Sequence, residues 1–284
     1  MNTAAKNLVD QVKELGTLPT VYTKVNELVN DPNCPASKLG EAISNDQVIT
    51  SMILKLVNSA LYGFPNYIDT VTKAVTIIGF KQTRDLVLAS SVIDMFNNAK
   101  ASEFIDLKGF WMHSIASAVA AKSIANQMSK SDPEAMFTAG LLHDIGRLII
   151  LEFTGTIPLV PLIQKCRDRE LLVYKNERKV FGFTHMDVAD ALFYKWNLPP
   201  VLKEAAVFHH SPIMAPRFKE EACCIHMADV IAHALQLGNS SDHFVPKIRE
   251  EACEVLGIQM DKLPIIFKQV KSQYPDLIKI FFRE

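Results

Sequence analysis

The chain has 284 residues, 49% of them hydrophobic and 21% charged, an ordinary globular composition for one large domain or two smaller ones. Lys and Arg number 30 against 31 Asp and Glu, and the first hundred residues hold nine of each sign, so neither the chain nor its start is a basic surface for nucleic acid or acidic membrane. The opening MNTAAKNLVDQVKEL lacks the apolar core of a signal peptide, and no stretch approaches the roughly 18 apolar residues of a membrane span, so the expectation is a cytoplasmic protein with no membrane partner.

Helical periodicity runs through the chain. Ala4 to Leu15 reads as an amphipathic helix stopped at Gly16, and Val21 to Val29 as a short helix after Leu18-Pro19. Asp31-Pro32 and Pro35 punctuate. Ser37 is the expected N-cap of Lys38 to Ser44, and Asn45 or Asp46 caps Gln47 to Asn58. Leu61 to Pro65 is a turn, and Asp69 to Ile78 a helix ended by Gly79. Thr83 to Phe96 follows, with Leu86, Leu88, Val92, Ile93 and Phe96 able to face a core. Polar Asn97, Asn98, Lys100 and Ser102 mark a boundary. Trp111 to Met128 is long, and its Ala116, Ala118, Ala120, Ala121 and Ala125 allow close helix packing. Glu134 to Leu151 is next. Pro158 and Pro161 break the chain before Ile163 to Tyr174. Lys175 to Phe181 leads to Gly182, and Thr184 caps Met186 to Trp196. Leu198-Pro199-Pro200 starts Val201 to His210, and Glu220 to Leu237 is long. Gly238-Asn239-Ser240-Ser241 is a flexible turn, and Pro246 to Leu256 and Lys262 to Tyr274 close the chain. Alternating runs of strand length are absent, so the fold class is all-α. Residues 1–98 form an N-terminal helical part, and residues 99–284 a second part that includes the closing helices.

The most informative stretch is Ala139 to Leu151, AGLLHDIGRLIIL, an apolar run interrupted by His143, Asp144 and Arg147. Its length and its lead-in, Asp132-Pro133-Glu134, favour a helix. A carboxylate inside an apolar helix is costly to desolvate unless something pairs with it. Residues i and i+1 point about 100° apart on a helix, so His143 and Asp144 would converge on a third group. A metal ion suits both. The plainer alternative is a helix terminus at Gly146, with both side chains bonded to backbone.

Eight histidines occur in all, and five stand with this stretch or near helix ends: His113, His143, His185, His209 and His210. Asp229, in HMADVIA, is another acid among apolar neighbours. Taken singly, each reads as a satisfied or exposed residue. Together they match the way helical bundles build a metal centre from side chains projecting inward. His226, three residues before Asp229, shares its face or lies on the surface, and His233 and His243 look incidental. Cys34, Cys166, Cys223, Cys224 and Cys253 are odd in number without C-x-x-C spacing, which argues for a reducing compartment and against a zinc knuckle.

The order His, His-Asp, His, His-His, Asp resembles the HD superfamily of metal-dependent phosphohydrolases, and within it the HD-GYP cyclic-di-GMP phosphodiesterases. The first half sharpens this. Leu18-Pro19, Asn30-Asp31-Pro32, Asn45-Asp46, Asn58-Ser59-Ala60 with Tyr62, Ala74-Val75 and Ile78-Gly79 look like the start of an HDOD domain. Trp111-x-His113-Ser114, the Ala139 to Gly146 block, Leu198-Pro199 and Ala228-Asp229 continue the pattern. The resemblance covers about residues 10 to 260. It implies an all-helical bacterial signalling or regulatory module related to hydrolases. Two departures stand out. No Gly-Tyr-Pro follows His209-His210, and Arg147 stands where lysine is common.

By this resemblance His113, His143, Asp144 and Asp229 would hold one metal, with Asp144 able to bridge, and His185, His209 and His210 a second. Iron or manganese is expected ahead of zinc. Two such ions would activate a bridging water, and Arg147 would offset charge on a phosphate. The chain is thus either a regulatory protein keeping a metal or a phosphohydrolase acting on a nucleotide or cyclic dinucleotide. A helix-turn-helix over Lys38 to Ala60 is disfavoured, because the would-be recognition helix carries Lys55 as its single cation. The aromatic loop Tyr62, Phe64, Pro65 and Tyr67 reads as a staple between the two helical parts, or as a docking patch for a signalling partner such as a kinase or receptor.

Overall fold

A computed structural model describes residues 1–11, 18–97, 106–128, 131–154, 156–258 and 260–282. Among them every regular element is helical. The chain groups into two units, one of residues 18–97 with 271–284, the other of residues 1–17 with 98–270.

The smaller unit holds α2 (Thr20–Val29), α3 (Ala36–Ser44), α4 (Gln47–Val57), α5 (Val71–Ile78) and α6 (Phe80–Asn97). Asp46 is the cap that closes α4, accepting from the Ile49 amide at 3.0 Å. The helix then buries Ile49, Met52, Ile53, Leu56 and Val57, the spacing of one helical face. α3 starts one residue before the expected cap Ser37. Pro35 takes the N-cap position, and its carbonyl accepts from Lys38 and Leu39. Asn58 explains its motif. Its Nδ2 donates to the Leu54 and Ile68 carbonyls and its Oδ1 accepts from the Ile68 amide, all at 2.8 Å, which closes the loop of residues 59–67. Leu86, Leu88, Val92, Ile93 and Phe96 on α6 are fully buried. Burying each is worth about 1.5–3 kcal/mol. In the aromatic loop Tyr62 stacks on Phe64 with centroids 5.6 Å apart, and Tyr67 is 78% exposed.

The larger unit begins with α1 (Thr3–Gln11); the rest of the first expected helix lies outside the described residues. The core is α7 (Leu107–Ala125), packed on α8 (Pro133–Leu142) and on α14 (Lys219–Ala234). The alanine stripe of α7 serves as expected. A Cβ on Gly140 would stand 2.9 Å from the Ala118 Cα, so the two backbones nearly touch. The expected helix from Glu134 to Leu151 is two helices. α8 ends at Leu142 and α9 (Ile145–Thr154) starts after His143 and Asp144. The His143 ring nitrogen takes the Gly140 carbonyl, and the Asp144 carbonyl accepts from Arg147.

Pro161 does not break the chain as expected but lies inside α10 (Thr156–Asp168). One backbone hydrogen bond is lost there, and burial of Leu159, Leu162 and Cys166 on one face outweighs it. That helix stops at Asp168 rather than Tyr174, because Glu170 adopts φ 53° and the Leu171 amide turns back to the Cys166 carbonyl. There follow α11 (Tyr174–Phe181), α12 (His185–Lys195) and α13 (Pro200–Val207). α13 ends before His209, where the His209 amide bonds Ala206 and the Ser211 amide bonds Phe208 in tight turns. α15 (Glu250–Leu256) and α16 (Leu263–Phe282) close the chain, and α16 runs past the expected end at Tyr274 with Pro275 inside it. All five cysteines are free.

Candidate metal centre

Each candidate side chain sits where a helix begins, ends or crosses the core of the larger unit. His113 is on α7, His143 and Asp144 occupy the break between α8 and α9, His185 is the first residue of α12, His209 and His210 follow α13, and Asp229 is on α14. The start of α12 is fixed by a capping box, in which the Thr184 hydroxyl accepts from the Asp187 amide and the Asp187 carboxylate accepts from the Thr184 amide. Gly146 brings α9 against that start. A Cβ there would lie 2.0 Å from the His185 carbonyl oxygen.

All seven residues come together, and each is at most 6% exposed. Asp144 faces two ways. Its Oδ1 is 3.1 Å from His185 Nε2 and 3.8 Å from His209 Nε2, and its Oδ2 is 3.6 Å from His143 Nε2. Asp229 Oδ1 is 3.1 Å from His113 Nε2 and 3.7 Å from His143 Nε2. The outer nitrogens are anchored. His143 Nδ1 donates to the Gly140 carbonyl at 2.7 Å, His209 Nδ1 to the Ala206 carbonyl at 2.6 Å, and His185 Nδ1 to Glu177 at 2.7 Å. In the neutral ring, with Nδ1 protonated, each Nε2 has a lone pair directed inward. The Nε2 atoms of His143, His185, His209 and His210 are buried without a hydrogen-bond partner. Orphaned acceptors converging in this way are costly unless a cation or proton joins them. Overlapping sets of their ligand atoms lie within 4.8 Å of one another, so the residues could hold a metal ion.

The HDOD domain family model matches residues 15–212. The chain belongs to this family. A curated relative, an uncharacterized protein of Treponema pallidum (strain Nichols), is 23% identical over 215 residues, which is 75% of this chain and 40% of the relative's length. Among solved structures, an HDOD domain protein of Geobacter sulfurreducens superposes with a TM-score of 0.79 at 24% identity, over 98% of this chain and 96% of its own. A Shewanella amazonensis SB2B protein with a provisional phosphohydrolase name gives 0.74 at 23%, over 98% of each chain. A Marinobacter aquaeolei VT8 protein with a provisional signal-transduction name gives 0.70 at 17%, over 93% of this chain and 58% of its own. These likenesses are to the HDOD fold. No helix among the described residues is long and apolar enough to cross a membrane.

Three participants in this HDOD chain were not among the expected residues. Glu177, fully buried, grips His185 by both its ring and its backbone amide. Asp242 accepts from Arg147 Nη2 at 2.9 Å and also from the Val173 amide. His233 lies one turn after Asp229, with Nε2 3.4 Å from Asp229 Oδ1. Arg147 is 3% exposed and engaged by Asp144, Asp242 and the Ser240 carbonyl. His226 turns away from the cluster, its Nδ1 to the His209 carbonyl and its Nε2 accepting from the Arg249 amide. The turn from Gly238 to Ser241, expected to be flexible, is tied down, with the Asn239 amide donating to the Gly109 carbonyl at 2.7 Å.

Burial pushes the His209 imidazole down to about 3, with His143 nearby adding to the effect. Burial, then His209 and His185, hold His210 well below the usual imidazole range. Burial would also lower His185, but the Glu177 carboxylate overrides it and raises the group to about 9. For His209 and His210 the folded values lie below the unfolded value of about 6.5, so the unfolded chain takes up protons first as pH falls. Their contribution is intact above that unfolded value and is lost toward the lowered folded one. Between about pH 7 and pH 5, chelator-stripped wild type should therefore lose about 2 kcal/mol more stability than a His209→Ala variant does. Urea unfolding of both proteins at the two pH values measures this, and equal losses would contradict it.

Proposed function

We propose that this HDOD protein is a bacterial signalling or regulatory module whose His/Asp cluster holds one or two transition-metal ions, iron or manganese ahead of zinc. The ligands would be His113, His143, Asp144 and Asp229 for one ion and His185, His209 and His210 for a second, with Asp144 shared. The observation that carries this is the set of inward Nε2 atoms left without a partner while the Nδ1 atoms of His143, His185 and His209 are used. A bound ion would supply charge and Lewis acidity at the centre of the cluster. Arg147, held between two carboxylates, would balance Asp144. Burial of the whole cluster and the missing Gly-Tyr-Pro support regulation over catalysis. A signalling partner is part of this reading.

One observation favours the second reading, a phosphohydrolase on a nucleotide or cyclic dinucleotide. A cleft of about 520 Å³ reaches His210 and is lined by Tyr174, Lys175, Lys247 and Arg249. Glu250, Glu251 and Glu254 line it too and offset its positive charge toward an anionic substrate.

Elemental analysis decides the main reading. Full-length protein grown with iron and manganese should retain a transition metal, and His185→Ala should lose at least part of it. Wild-type protein free of transition metal would overturn the proposal. Turnover of a generic phosphodiester by metal-loaded protein, abolished by His143→Ala, would establish the enzyme reading instead.

A further inference from the structure

We infer that His113, Asp229 and His233 form a solvent-reachable divalent-cation position beside the inner set, with His113 serving this ion in place of the inner one. The inference rests on the proposed metal binding and adds a residue and an access route to it. His233 follows Asp229 by four residues on α14, so one turn of helix puts both on the same face. His113 Nε2 and His233 Nε2 lie 3.1 and 3.4 Å from the same Asp229 oxygen, and their rings are 4.8 Å apart. One ligand atom from each of the three falls within 4.8 Å of the others.

The access differs from that of the inner residues. A pocket of about 350 Å³ is lined by His113, His233, Ser240, Asp242 and His243; Asp229 lies behind the two imidazoles, and none of His143, Asp144, His185 or His209 lines it. A cation entering there meets His233 and His113 first. The wall is preformed. Gly238 has φ +79°, and a Cβ on it would lie 2.1 Å from the His113 amide nitrogen, so the turn sits directly on α7. The Asn239 amide bonds Gly109, and the Ser240 carbonyl is taken by Arg147.

Two imidazoles and a carboxylate select borderline ions such as zinc, cobalt, manganese or iron over magnesium and calcium. Three protein ligands with the remaining position open to water is the arrangement of an accessible rather than a closed site. The Ser240 hydroxyl lies 3.0 Å from His233 Nε2. When that hydroxyl donates, Nε2 holds the lone pair a metal needs, and the hydroxyl rotates aside as the ion arrives. An ion here takes His113 from the inner set and shares only the Asp229 carboxylate with it, so the position doubles as the port through which that set is filled.

The test is a cobalt titration of chelator-stripped, full-length protein, with bound equivalents from equilibrium dialysis and fold checked by circular dichroism. His233→Ala and His233→Gln should weaken one equivalent by more than about tenfold, the lower end of what loss of an outer-shell partner costs a metal site. His185→Ala should leave that equivalent in place. Folded His233 variants that titrate like wild type overturn this position alone. Wild type that binds no cobalt overturns it together with the proposed function. Should the His233 variants not fold, nitrogen-15 histidine spectra of the wild type decide, because zinc is expected to shift the His233 Nε2 signal and an unmoved signal overturns the inference.

Discussion

Asp144→Ala is expected to remove bound metal and, independently, to cost the chelator-stripped protein about 3–5 kcal/mol, the range for breaking a buried ion pair. Arg147 is the reason for the second effect. Its Nε lies 3.2 Å from Asp144 Oδ1, three residues earlier on the chain, and its Nη2 lies 2.9 Å from Asp242. Burial would weaken the guanidinium's charge, yet Asp144 and Asp242 hold its pKa above the usual arginine range. Asp144 mirrors this: burial would raise its carboxyl, while Arg147, His143 and His185 keep it well below the usual carboxylate range. Alanine leaves a buried cation with one carboxylate and one carbonyl. Asp144→Asn keeps the volume and loses the charge, so it should fall between wild type and alanine. Urea denaturation of stripped protein measures the difference, and a loss under about 1 kcal/mol would show that the pair carries little.

Glu177→Gln should weaken metal binding about 10- to 100-fold without touching any proposed ligand. Glu177 accepts from His185 Nδ1 through both oxygens, at 2.7 and 2.9 Å, and from the His185 amide at 2.8 Å. A glutamine has one acceptor, so its amide group must face the Nδ1–H or the backbone amide, donor against donor. The negative charge that makes His185 a better base is also lost. In stripped protein, the stabilisation from the raised His185 value is complete below the unfolded value of about 6.5 and fades as pH rises through about 9. Glutamine should abolish that alkaline slope. A chelator competition that returns wild-type affinity for the variant would refute the role given to Glu177.

The helices were largely legible because their punctuation is local. Asp46, Thr184 and Gly79 mark ends by the groups they offer the backbone, and the structure uses them so. The break at His143-Asp144 was not legible, because apolar residues continue on both sides and the interruption serves the core rather than any turn residue. Pro161 misled for the converse reason: a strong local signal was overruled by burial. The acids and imidazoles of the cluster were readable from their order along the chain. Glu177 was not. It lies in YKNERKVF between Lys175-Asn176 and Arg178-Lys179, which advertise solvent, and it is the one buried residue of α11. His226 and His233 flank Asp229 at three and four residues, so helical spacing admits both. Only packing shows that His226 turns to backbone and His233 to the acid.

The contact between Gly146 and the His185 carbonyl bears on how the centre assembles. Because α9 and α12 meet there without an intervening side chain, Asp144 and His185 are carried on what is mechanically one piece. Capture of the proposed ion would then require small rotations of rings already in place, not ordering of polypeptide. Such a centre differs from small metallodomains in which the ion drives folding, and its occupancy can rise and fall with cellular supply while the scaffold stays as it is.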